Sequence, residues 1–182
     1  FGGFVGLASS LTIYFNDQFG MSPVQSGYFT AACVFAGSLV RPMGGMLADR
    51  IGGIRTLLVV YSLAGVFLII VSFGAPSAWL ALVGFMFAMG TLGFGNGAGL
   101  QLVPQRFRQE IGVMTGLVGM AGGVGGFYLA ASLGYIKGLT GDYQIGLLIF
   151  AGLCFVALVG LTVVKQRWRT TWGAAAISGA KV

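Results

Sequence analysis

No histidine occurs in the 182 residues of this chain, and aspartate and glutamate together number four. Its two cysteines, Cys33 and Cys154, both sit inside apolar runs, where free cysteine behaves as a small packing residue. These shortages remove the usual metal-ligand sets and any disulfide framework, and no cofactor is expected. They also leave an intramembrane enzyme without groups for acid/base work. Charge of either sign is scarce, at 8% of residues against about 25% in soluble domains. A chain with so little charge and 57% hydrophobic residues cannot cover itself for water. It belongs in lipid, where only helices and closed barrels satisfy every backbone polar group. Continuous apolar runs of about twenty residues select helices, because barrel strands would alternate in runs of roughly ten.

What is present divides into six spans. The first runs from Phe1 to about Phe15. Phe1 opens directly into the apolar run, with no basic segment before it and no small-residue cleavage site after it, so it does not read as a signal peptide. The expectation is the remainder of a longer span, in a sequence that begins partway through a gene product. Ser22-Pro23, with Gln25 three residues after the serine, reads as a capped helix start. The second span continues to about Leu47. The others cover roughly Thr56 to Phe73, Ala78 to Leu102, Ile111 to Leu133 and Ile145 to Val164, with a turn at Gly74-Ala75-Pro76-Ser77. The domain reading is a six-helix transmembrane bundle over 1–165 and a basic cytoplasmic tail over 166–182.

The net charge of +6 forms no basic patch interleaved with aromatics, so nucleic acid is not an expected partner. The cations follow membrane topology instead. Arg50 and Arg55, Arg106 and Arg108, and the tail residues Lys165, Arg167, Arg169 and Lys181 fall on one side, and Lys137 alone on the other. By the positive-inside rule that first side, including the C-terminus, is cytoplasmic. Tyr14, Trp79, Tyr135 and Tyr143 mark the outer ends, Trp168 and Trp172 the inner one.

Three features carry functional information. The segment Gly45-Met46-Leu47-Ala48-Asp49-Arg50-Ile51-Gly52 resembles the G-x-L-a-D-R-x-G loop of the major facilitator superfamily. That resemblance implies a structural and gating role for Gly45, Asp49, Arg50 and Gly52; a solvated charged loop is the plainer alternative. Arg41 is the one cation inside a span. Two readings stand. At about 1.5 Å per residue it lies some 9 Å from Leu47, so its side chain could snorkel to the interface. Against this, Thr30, Gly37, Ser38, Gly44 and Gly45 leave open volume around it, and no intramembrane carboxylate is available. An unpaired guanidinium at that depth points to a cavity and an anion. Lastly, Gly112, Gly116, Gly119, Gly123 and Gly126 fall within about 80° of arc on one helix, beside Gly122. Close helix packing is the default reading of such a stripe; a helix that slides against its neighbour, or offers bare backbone to a small substrate, is the functional one. Interhelical hydrogen bonding is the default for Asn96 and Gln101.

Four blocks in order, Phe1-Gly2-Gly3-Phe4-Val5-Gly6, Arg41-Pro42-Met43-Gly44-Gly45, Gly95-Asn96-Gly97-Ala98 with Gln101 to Phe107, and Gly116 to Phe127, resemble the nitrate/nitrite porters (NarK type) of that superfamily. The resemblance covers helices seven to twelve of that family and nearly the whole chain except the tail. It implies an all-α membrane fold, one half of a two-bundle transporter of the inner membrane, with a small inorganic anion and the missing N-terminal half as partners. Arg41 matches one of two buried arginines that bind nitrate, and Phe1 a phenylalanine that packs on the flat anion. Gly119, with Gly122 and Gly123, matches the nitrate signature, and Asn96 and Gln101 complete the expected substrate set. Gly99-Leu100 departs from the bulkier pair expected before Gln101. The rivals are a facilitator for another anion such as a carboxylate, and a non-transporting membrane subunit.

Overall fold

The computed structural model describes residues 1–107 and 109–171, apart from the side chains of Gln105, Arg106 and 167–171. Among the described residues all regular structure is helical: α1 Gly2–Phe19, α2 Pro23–Leu39, α3 Arg41–Ile51, α4 Gly53–Ser72, α5 Ala78–Arg106, α6 Ile111–Thr140 and α7 Gln144–Thr171. Five stretches are long and apolar enough to cross a membrane, the α2–α3 pair counting as one of 29 residues. The chain is therefore a multi-pass membrane protein. Large apolar side chains such as Phe35, Phe87, Val113 and Phe127 lie on its outside, as lipid permits and water would not.

Helix ends follow local chemistry. Ser22 Oγ accepts from the Gln25 amide at 3.3 Å and Pro23 opens α2, as its sequence indicates. Ser77 caps α5 in the same way. Gly20 and Gly141 end α1 and α6 in the left-handed conformation that glycine tolerates at low cost. Helices reach beyond their expected ends: α1 continues past Phe15 to Phe19, and α7 past Val164 to Thr171, so the 165/166 boundary falls inside a helix. Arg108 and residues 172–182, including Trp172 and Lys181, lie outside the described residues.

The second span differs more. It is not one helix but two, α2 and α3, meeting at Val40. Pro42 explains the break, because its ring clashes with the carbonyl four residues back and it has no N–H to donate. Beyond the break, α3 runs on to Ile51, and Gly52 at φ 99° turns the chain into α4. That backbone geometry requires a glycine, which accounts physically for the last position of the loop motif.

Helix α5 is central and packs against α1, α2, α3, α4 and α6; α1 also packs on α6, and α4 on α7. The core is aromatic at one end, where Tyr14, Phe15 and Phe85 meet edge to face with centroids 5.0–5.9 Å apart. There Tyr143, in the α6–α7 turn, donates to Asp17 Oδ2 at 2.9 Å, and Lys137 lies 4.5 Å from its ring centroid. Burial, then the bond to Asp17, pushes the Tyr143 phenol well above its usual range.

Candidate functional site

Arg41 stands at the α2–α3 break, as the first residue of α3. From there to Ile51 is about 15 Å at 1.5 Å per residue, deeper than a helix ending near Leu47 would place it. Its side chain turns inward: Cζ lies over the Phe4 ring, 4.6 Å from the centroid. Its Nε is fully buried and has no hydrogen-bond partner among the described residues. None of the four carboxylates comes to its aid. Asp17 accepts from Tyr143 and Asp49 from Gln101, while Glu110 and Asp142 flank helix starts. A buried donor on a charged group without an acceptor is costly, and such groups call for an explanation.

Missing β-carbons set the depth and rigidity of this site. A Cβ on Gly97 would collide with the Arg41 carbonyl oxygen, one on Gly93 with that of Gly37, and one on Gly44 with that of Phe94. Helix α5 thus lies backbone to backbone along α2 and α3, above and below Arg41. Asn96, beside Gly97, is 7% exposed and so occupies the same buried level. A Cβ on Gly37 would meet Phe4 Cε2 at 2.5 Å and the Met89 carbonyl oxygen at 2.6 Å, so the ring needs that glycine in order to reach the guanidinium.

Phe1, three residues before Phe4, packs its ring against α6. A Cβ on Gly122 would strike its ring. One on Gly126 would meet Val5 at 2.8 Å, and one on Gly6 the Leu129 Cβ at 2.9 Å. The α1–α6 contact therefore uses Gly122 and Gly126 of α6 with Gly2 and Gly6 of α1. The expected packing stripe needs correction: Gly112, Gly116, Gly119 and Gly123 have nothing within 4 Å of an added Cβ, and only Gly126 of that row is in contact. Helical spacing had ranked the faces without locating the neighbour. Gly119 and Gly123 are exposed and are not gathered around Arg41 by these helices.

Gln101 needs a similar correction. Its Nε2 donates to Asp49 Oδ1 at the end of α3, so it links α5 to the loop motif and does not join the Arg41 group. This is the interhelical bond that neutral amides at depth form by default. Arg50 is exposed beside it, and Gly45 lies 3.8 Å from the Gly97 carbonyl when given a Cβ. The structure therefore brings Phe4 to Arg41 and Phe1 to Gly122, with Asn96 buried on α5. Phe4 was not singled out from sequence. The available signals were its helical spacing from Phe1 and a glycine one turn before Arg41.

Helices in this order, five stretches of them long and apolar enough to cross a membrane, with the G-x-L-a-D-R-x-G turn leading from α3 into α4, fit half of a facilitator bundle. The Major Facilitator Superfamily signature matches residues 1–175, and the chain belongs to that superfamily. Among its relatives, the nitrite extrusion protein of Bacillus subtilis (strain 168) is 35% identical over 164 residues, covering 90% of this chain and 40% of that protein. A probable nitrate/nitrite transporter, NarK2, of Mycobacterium tuberculosis (strain ATCC 25618 / H37Rv) is 35% identical over 164 residues, 86% of this chain and 40% of the relative. A probable nitrate/nitrite antiporter, NarK1, of Thermus thermophilus is 30% identical over 186 residues, 91% of this chain and 42% of the relative. The chain spans about 40% of the length of these curated relatives.

Proposed function

We propose that this chain is the C-terminal half of an inner-membrane transporter that moves nitrate and/or nitrite by alternating access. The single observation that carries the proposal is the Arg41 guanidinium, drawn into the bundle with a buried, unpartnered Nε and no carboxylate beside it. A planar fork of donors matches a flat oxyanion in two parallel bonds, which an ammonium cannot do. Phe1 supplies an apolar face for the anion, and Asn96 a neutral polar group at the same level. The open row Gly119–Gly123 faces a second, N-terminal bundle carrying another arginine, and the two bundles rock about the midplane site between them. The Arg50 and Arg55 side, with the C-terminus, is cytoplasmic. The names of the relatives support this cargo.

The test is Arg41→Lys in the full-length transporter, reconstituted in vesicles. Nitrate uptake is expected to fail although the charge is retained, because the compact, strongly hydrated ammonium loses the two-point contact. Near-normal uptake would make Arg41 an interfacial anchor. Competition by acetate as strong as competition by nitrite would instead favour a carboxylate carrier.

A further inference from the structure

We infer that Phe4 is the positioning residue for the Arg41 guanidinium, holding the cation in place without neutralising it. The inference deepens the anion reading above and rests on it. A buried arginine is usually held by a carboxylate, which would cancel the charge and occupy the fork of donors. Here the contact is a ring. Phe4 is only 4% exposed, and Arg41 Cζ lies over it at 4.6 Å from the centroid. The negative face of an aromatic ring attracts a cation but accepts no directed N–H bond in the plane of the guanidinium. The group therefore keeps its full charge and its in-plane donors.

The ring is itself fixed. Gly37 lies one helical turn before Arg41, and its missing side chain admits Phe4 Cε2; the same space is bounded by the Met89 carbonyl. The buried, unpartnered Nε is the second observation. It marks a donor held ready on a side chain whose position is already fixed by packing. Pre-positioning of this kind removes part of the ordering cost of binding. Phe1, by contrast, packs against Gly122 of α6, and the ring at the guanidinium is that of Phe4.

The experiment replaces Phe4 in the full-length transporter and measures nitrate affinity and the uptake KM and kcat. Phe4→Leu keeps apolar bulk and removes the ring face. Incorporating 4-fluorophenylalanine keeps the ring and weakens its negative face, while 4-methylphenylalanine adds bulk without weakening it. Affinity is expected to fall roughly five- to thirtyfold for leucine, the range set by ring–cation attraction from partly exposed to desolvated sites. The fluoro analogue should fall between leucine and the parent, and the methyl analogue should stay near the parent. Equal affinity for the parent and fluoro proteins, or losses that track bulk alone, would overturn the positioning role and leave the transport reading intact. Absence of nitrate binding by the unmodified protein would sink that reading and this one with it.

Discussion

Adding one methyl group at Gly97 tests whether the site depends on close backbone contact. The new Cβ would collide with the Arg41 carbonyl oxygen, with the carbonyl carbon at 2.8 Å and the Gly45 nitrogen at 3.2 Å. Ordinary contact begins at about 3.4 Å, so the carbonyl carbon alone demands a retreat of α3 from α5 by about 0.6 Å, and the nearer carbonyl oxygen demands more. Overpacking of this kind costs about 1–3 kcal/mol. Exchanging glycine for alanine inside a helix returns about 1 kcal/mol, so the net loss of stability is at most about 2 kcal/mol. Function should suffer more than stability, because a shift near 1 Å in a positioned group can cost on the order of a hundredfold. In the full-length protein, Gly97→Ala is expected to lower the melting temperature in detergent only modestly while weakening nitrate binding by an order of magnitude or more. Gly90→Ala, two turns earlier on α5 with nothing within 4 Å of the new Cβ, serves as the control and should bind normally. Parent-like nitrate affinity in Gly97→Ala would show that the α3–α5 contact does not set the position of Arg41.

Three further outcomes follow from the same geometry. Gly123→Leu should abolish uptake with little change in the stability of this bundle, since its own helices leave that face open; normal uptake would place the face in lipid. A double-mutant cycle on Gln101→Ala and Asp49→Ala should show coupling of about 0.5–3 kcal/mol, and additive effects would mean that the bond contributes nothing. Tyr143→Phe should cost about 1 kcal/mol through the lost bond to Asp17. Because the folded state raises the Tyr143 phenol, its contribution is complete below about pH 10, the unfolded value, and is lost as pH rises further. Melting curves above pH 10 should therefore fall less steeply for the variant than for the parent.

Much of the architecture was legible in the residues, because lipid demands long apolar helices and glycine or proline punctuates their ends. The Ser22 cap was readable in advance, and the positive φ of Gly52 gives a physical reason for a glycine that the sequence marked only as part of a loop motif. What escaped depended on neighbours. In a soluble helix, polarity distinguishes the inner face from the outer, but a membrane helix is apolar all round, so the α6 glycines could be placed on an arc without knowing that α1 meets Gly122 and Gly126. Gln101 is a polar group whose partner is 52 positions away, and no local pattern predicts that distance. The break before Pro42 was visible in principle, since the residue preceding a proline tends to leave the helical region. The continuous apolar run across it concealed the interruption. Arg41 stood out because a charge in hydrocarbon is costly wherever its partner lies.

The interruption between α2 and α3 has a mechanical consequence. Breaks at proline are commonly where helices bend during a transport cycle. This one is splinted. Gly93 is pressed against Gly37 on one side of the junction, and Gly97 and Phe94 against Arg41 and Gly44 on the other, all from the uninterrupted rod of α5. Flexing at Val40 would have to part backbone from backbone at three crossings at once. The junction is thus a fixed elbow rather than a joint, and in the transport cycle proposed above the arginine it carries would keep its relation to the rest of the bundle. On that proposal the grip on the cargo would be set once, by covalent geometry and packing, and the conformational cycle would change only which side of the membrane that grip faces.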